Sequence, residues 1–161
     1  MRGLLPLLVW GIVLSAVPAA ARPNTAEVER VKQGLERMLR ENIIPFWYPQ
    51  SVDLAGGGYR LNHDANGTWL GAADKGLIDQ ARTLWFYARL YNSGYGTDAH
   101  LRAAKHGYVF LREALRDEVF GGYFWAINSD GTIATRPHKH LYAQSFALYA
   151  LSEYVRASGE G

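Results

Sequence analysis

Arg82 stands among Ala81, Leu84, Trp85 and Phe86, a cation in apolar company. A guanidinium keeps its charge at any ordinary pH and can stabilise negative charge developing on an oxygen. It can equally pair with a carboxylate such as Asp79 or run its stem along a helix to water. Trp85 follows three residues later, on the same helical face, where an indole can lie under a pyranose ring or fill a core. The five histidines, His63, His100, His106, His138 and His140, include one alternating pair, but sequence places no third ligand beside His138 and His140, so no metal is expected. No cysteine is present, which excludes disulfides, thiolate metal sites and a cysteine nucleophile together. Asp64, Asp74 and Asp79 are the carboxylates that a glycoside-hydrolase reading would need.

The elements that position these residues come from an internal repeat. Gly57-Gly58-Tyr59 returns as Gly121-Gly122-Tyr123, an offset of 64 residues. The same offset pairs Phe46 with Phe110, Asp53 with Asp117, Gly67 with Gly131, Thr68 with Thr132, and Lys75 with Lys139. It also pairs Leu77 with Leu141, Gln80 with Gln144 and Leu84 with Leu148. Such periodicity marks an array of like supersecondary units.

In each unit an amphipathic helix comes first. Asn24-Thr25-Ala26-Glu27 resembles a capping box, followed by Val28, Val31, Leu35, Met38 and Leu39 on one face. In the second copy Thr97 or Asp98 caps a helix with Leu101, Ala104, Tyr108, Leu111 and Leu115 on its apolar stripe. A Gly-rich connection with an Asn66-Gly67 or Asp130-Gly131 reversal then predicts a small β-hairpin or extended loop. The helix after it is apolar nearly all round in both copies, from about Leu77 and from about His140, which predicts burial on both sides. Outer helix, Gly-rich connection and inner helix, repeated, describe an all-α toroid. Two such units cannot close a ring, so the expected fold is incomplete.

Residues 1–21 carry a different pattern. Arg2 supplies a positive start, Leu4 to Val17 an apolar run, and Ala19-Ala20-Ala21 a small-residue cleavage site. This reads as a secretory signal peptide, with the domain at 22–161. A run of about 14 residues falls short of the roughly 20 that span a bilayer. The expectation is export by cleavage after Ala21, with no membrane association thereafter. Lys and Arg are interspersed with Asp and Glu at a net charge of +2, which gives no surface for nucleic acid.

Three ordered motifs carry a resemblance: Lys75-Gly-Leu-Ile-Asp-Gln80-Ala81-Arg82-Thr-Leu-Trp85; Asp117-x-x-x-Gly121-Gly122-Tyr123-Phe124-Trp125 with Asp130-Gly131; and Lys139-His140-Leu141-Tyr142-Ala-Gln144-Ser-Phe146. Together they resemble the N-acylglucosamine 2-epimerase superfamily, which includes cellobiose 2-epimerases and mannose isomerases. The resemblance spans roughly residues 25 to 158. It implies an (α/α)6 barrel, of which these units are the first two helix pairs. The implied chemistry is proton transfer at C2 of a reducing sugar through an enediolate, with no cofactor.

The resemblance also implies that Arg82 faces the axial cavity near O1 or O2 of the sugar. Tyr142 then occupies a motif whose tyrosine hydroxyl reaches a sugar hydroxyl, although its ring suits a core equally well. The implied acid–base histidines belong to later inner helices, and none of the five here matches them. Comparing the two copies separates joints from site. Residues shared by both units, such as Lys75 and Lys139 or Gln80 and Gln144, read as braces, whereas Arg82 is replaced by Phe146 in the second unit. The substrate-binding candidates are therefore Arg82, Trp85 and Tyr142. Two further readings stay open: a non-catalytic sugar-binding or interaction fragment, whose exposed core calls for self-association or a partner, and a glycoside hydrolase.

Overall fold

The structure is a computed structural model that describes residues 24–160. The expected signal peptide and its cleavage site lie outside them. Contacts divide the chain into a segment ending at Leu35 and a body from Glu36 onward.

Helix α1 (Thr25–Met38) starts as its capping sequence requires, with the Glu27 N–H donating to Asn24 Oδ1 at 2.7 Å. Its apolar face, Val28, Val31, Leu35 and Met38, is at least half exposed, and the helix buries no residue. After α1 come a π-helical turn, Leu39–Ile43, and a short helix α2 (Ile44–Trp47). Strand β1 (Lys75–Gly76) leads into α3 (Leu77–Asn92), the first inner helix. Helix α4 (Asp98–Phe110) ends in a second π-helical turn, Leu111–Leu115; strand β2 (Ala126–Ile127) and α5 (Leu141–Ser158) follow. Among the described residues no helix is long and apolar enough to cross a membrane.

The two Gly-rich connections share one set of bonds, to which the first copy adds donation from Lys75 Nζ to Gly56 O and Gly57 O. The Asp53 N–H donates to Gly58 O at 3.0 Å and the Asp117 N–H to Gly122 O at 2.8 Å. Each aspartate accepts two backbone N–H groups on Oδ1, from Ala55 and Gly56 or from Val119 and Phe120. Each takes a lysine on Oδ2, Lys75 at 2.8 Å and Lys139 at 2.6 Å. Gln80 receives the Tyr59 N–H at 2.8 Å and returns a bond to Tyr59 O at 2.9 Å; Gln144 does the same for Tyr123 at 2.9 and 2.8 Å. The repeated lysines and glutamines are thus joints that lock each loop to the start of its inner helix. The paired glycines are required by the loop's path. Gly57 and Gly58 have φ of 73° and 60°, and Gly121 and Gly122 both have 71°, a left-handed conformation that costs any residue with a Cβ.

Chain reversals occur at both expected places, through an antiparallel bridge between His63 and Trp69 and another between Ala126 and Arg136. The two-residue strands, however, pair across the copies rather than within one. Lys75 faces Ile127 and Gly76 faces Ala126, and the Leu77 N–H continues the ladder to Trp125 O at 2.9 Å. The connection of the second unit therefore braces the entrance to the first inner helix.

The core lies where α3 meets α4 and α5. Leu77, Ala81, Leu84, Tyr87 and Ala88 are fully buried, against Ala103, Ala104 and Leu111 on one side and Ala143, Ala147 and Ala150 on the other. Tyr59 reaches α4, where its hydroxyl donates to Ala103 O at 2.9 Å and its ring lies on Gly107; a Cβ there would collide with the phenol oxygen. The expectation that both inner helices are buried on two sides holds only for α3. Leu77 and Leu84 are 0% exposed, whereas their repeat counterparts on α5, Leu141 and Leu148, are 85% and 72% exposed. The cause is packing, since α3 has a helix on either side, whereas α5 meets α3 and α4 on one side and, among the described residues, its Leu141 and Leu148 side is left uncovered. Hydrophobic pattern records that a face is apolar, not whether a neighbour is there to cover it.

Candidate active site

Arg82, Trp85 and Tyr142 converge on one open concavity of about 920 Å³. Arg82 and Trp85 come from the second and third turns of α3, and Tyr142 from the first turn of α5. The register of the helices brings them together, because residues three and four apart share a face. Asp79, Phe146 and Tyr149 complete the lining between the two inner helices.

Arg82 is exposed at the rim with its guanidinium carbon 5.9 Å from the centre of the Phe146 ring. Among the described residues it joins none of the ion pairs, so the alternative of a pairing with Asp79 is not the arrangement seen. A cation resting on an aromatic face and lacking a carboxylate retains its hydrogen-bonding edge for a ligand. The Tyr142 ring meets Phe146 edge-on at 5.0 Å, and its exposed position leaves the hydroxyl at the rim. Trp85 stacks on Tyr149 at 5.1 Å and 18°. Tyr149 is the repeat counterpart of Trp85, so one indole face is committed to a neighbour and the stacked pair, not Trp85 alone, forms the aromatic wall.

The sequence did not single out Phe146 or Tyr149 as site residues. The 64-residue offset held the signal, since they are the counterparts of Arg82 and Trp85 and two adjacent inner helices bring counterparts side by side. None of the five histidines lines the concavity. Their positions explain themselves locally. His100 Nδ1 accepts the Thr97 N–H at 3.0 Å at the start of α4, and His106 bonds Asp53 O through Nε2 at 2.9 Å. His138 stacks on Trp125, with His140 edge-on to the same ring. Among the described residues no group of three His, Asp or Glu side chains could hold a metal ion.

Comparison with known proteins adds the lineage. The sequence profile of the N-acylglucosamine 2-epimerase (GlcNAc 2-epimerase) family matches residues 57–161. A cellobiose 2-epimerase of Ruminococcus albus is 40% identical over 131 residues, which cover 78% of this chain and 32% of that protein. The cellobiose 2-epimerase of Bacteroides fragilis is 34% identical over 133 residues, covering 82% and 33%. Among solved structures, cellobiose 2-epimerase from Spirochaeta thermophila superposes with a TM-score of 0.73 at 36% identity, over 86% of this chain and 34% of that one. A D-mannose isomerase shares the fold with a TM-score of 0.70 at 21% identity, over 78% and 31%. The chain spans about a third of the length of these relatives. Its helix pairs are those of an (α/α)6 barrel, and the chain belongs to the N-acylglucosamine 2-epimerase family.

Proposed function

We propose that this chain holds a reducing sugar against Arg82 and serves epimerisation or aldose–ketose isomerisation at C2. The observation that carries the reading is the Arg82 guanidinium, paired with no carboxylate among the described residues and seated on Phe146 at the rim of an aromatic concavity. Removing the C2 proton leaves an enediolate whose negative charge rests on O1 and O2. A fixed guanidinium stabilises that charge without titrating. Return of the proton to the opposite face of C2 gives the epimer, and its delivery to C1 gives the ketose. Tyr142 supplies a hydroxyl to the sugar from across the cleft, and the Trp85–Tyr149 stack supplies the apolar wall. The reading assigns the proton transfer to no histidine of this chain, because none lines the concavity. The apolar leader motivates the further proposal that the sugar is met outside the cytoplasm.

Calorimetric titration with a sugar hydroxamate, a planar mimic of the enediolate, tests this. Wild type should bind, Arg82→Ala should bind at least about ten-fold more weakly, and Arg82→Lys should fall between them. Equal affinity in Arg82→Ala would sink the proposal. The absence of histidine from the concavity favours a second reading, sugar binding without turnover by the chain alone. Incubation of the sugar with the chain in heavy water separates the two: deuterium appearing at C2 by NMR supports turnover, and its absence supports binding only.

A further inference from the structure

Three of the contacts between α3 and α5 join a residue to its own repeat counterpart. Arg82 lies over Phe146 at 5.9 Å, Trp85 stacks on Tyr149 at 5.1 Å, and Arg89 pairs with Glu153 at 3.5 Å. They follow one rule: a residue of one inner helix meets the residue 64 places further on in the next. Each pair is complementary in either direction, since it is a cation with a ring, an indole with a phenol, or a guanidinium with a carboxylate. A second α3 laid against the far side of α5 would therefore make the same three pairs in reverse, Phe146 with Arg82, Tyr149 with Trp85 and Glu153 with Arg89. Tyr149 is 48% exposed and keeps a ring face for this. Glu153 Oε2 is held at 3.2 Å only by the exposed Arg156, beside which a second guanidinium fits.

The far side of α5 is shaped for such a helix. Leu141, Ser145, Leu148 and Ser152 lie there at helical spacing, all exposed. Their counterparts on α3 are Leu77, Ala81, Leu84 and Ala88, all fully buried. The backbone at the entrance is ready too. Gly76 pairs with Ala126 from an extended conformation, φ −77° and ψ 138°. His140, its counterpart, is extended at φ −119° and ψ 124°, yet among the described residues it joins no ladder.

We propose that copies of this chain associate head to tail, the far side of α5 in one copy receiving α3 of the next, and that three copies close a ring. The number follows from the fold, because each copy brings two of the six helix pairs of an (α/α)6 barrel. A heterologous contact that repeats the step from one unit to the next closes when six units are present. The occupant is a second copy because its α3 carries Arg82, Trp85 and Arg89 at the spacing that Phe146, Tyr149 and Glu153 require. Each junction then adds a concavity like the one between α3 and α5, and every Arg82 stands between two Phe146 rings. None of this depends on the sugar.

Sedimentation equilibrium of the chain over a concentration series tests it, and the mass should rise to three times that of one chain. Leu148→Glu and, separately, Leu141→Glu change residues that are exposed within one copy. Each should weaken association at least about a hundred-fold and leave the circular-dichroism spectrum unchanged. Because the chain has no cysteine, introduced thiols report the junction. Thr83 is the counterpart of Ala147, which is buried in the core. Leu148→Cys and Thr83→Cys chains should form a disulfide when mixed under oxidation, and neither should do so alone. A single-chain mass throughout the series overturns the proposal. So does a dimer mass with Leu148→Cys linking to itself, which marks a two-fold contact of α5 with α5. Open-ended polymers that Leu148→Glu fails to dissolve overturn it as well.

Discussion

The guanidinium of Arg82 rests 5.9 Å above the ring of Phe146, the residue that occupies its own place in the second copy of the repeat. One position of the unit has thus become a charge on one helix and the seat for that charge on the next. Phe146→Ala should leave the fold intact, since the ring is only partly buried, yet free the guanidinium to wander. The expected loss is about 0.5–1 kcal/mol, or a two- to five-fold weaker hydroxamate affinity, read by calorimetry. Phe146→Leu, similar in bulk but without the ring's quadrupole, should show most of the same loss.

The twin lysine–aspartate joints make a quantitative pair. Lys75 is 5% exposed and Lys139 29%, at nearly equal bond lengths. Lys75→Met strands the Asp53 charge in a buried loop and should cost about 2–3 kcal/mol in urea unfolding. Lys139→Met should lower the urea midpoint less, because water can replace the ammonium.

Both joints also predict acid sensitivity. Burial alone pushes the Asp53 carboxyl up, but the Gly56 N–H and the Lys75 ammonium outweigh it and hold it below 3.8; for Asp117 the Lys139 bond comes first, with the Phe120 N–H behind it. Carboxyls lowered in the folded state stabilise it fully above about pH 3.8, and the contribution is lost as pH falls through the lowered folded values. Melting followed from pH 6 to pH 2 should therefore show a decline beginning near pH 4 that is shallower in Lys75→Met.

His100 gives a separate transition nearer neutrality. Its Nδ1 accepts the Thr97 N–H and faces the Thr97 hydroxyl at 3.2 Å, so the ring must be neutral with its proton on Nε2. Burial pushes its pKa below 6.5. A histidine lowered on folding stabilises above the unfolded value and loses that contribution as pH falls through the folded one. Thermal stability should drop between pH 7 and pH 5 by about 1 kcal/mol, the worth of a helix cap. His100→Gln, which keeps an acceptor but cannot titrate, should flatten this step; an unchanged slope would remove His100 as its cause.

The joints were legible because they repeat. Lys75 with Lys139, Gln80 with Gln144 and the Gly-Gly-Tyr pairs could be read as braces from the offset alone, and in both copies the lysine bonds the aspartate and the glutamine bonds the tyrosine backbone. The start of α1 at Asn24 was equally plain, since capping is local chemistry, and for α4 the structure selects Thr97 over Asp98 as the cap. What lay beyond the sequence were relations between elements. That β1 pairs with β2 of the other copy, that Trp85 spends a face on Tyr149, and that Leu148 is bare while Leu84 is buried all depend on which neighbour lies alongside.

The one-sided packing of α5 has a dynamic consequence. In a linear array each unit draws stability from its neighbours, and a helix with one face uncovered opens more readily than one packed on both sides. Amides of α3, clasped between α4 and α5, should exchange with solvent only when the whole body opens, whereas those of α5 should exchange through a cheaper, partial opening. Because Tyr142, Phe146 and Tyr149 ride on α5, that partial opening takes the seat from under Arg82. Anything that covers Leu141 and Leu148 would therefore slow exchange along α5 and hold the concavity in shape, even though it touches no ligand.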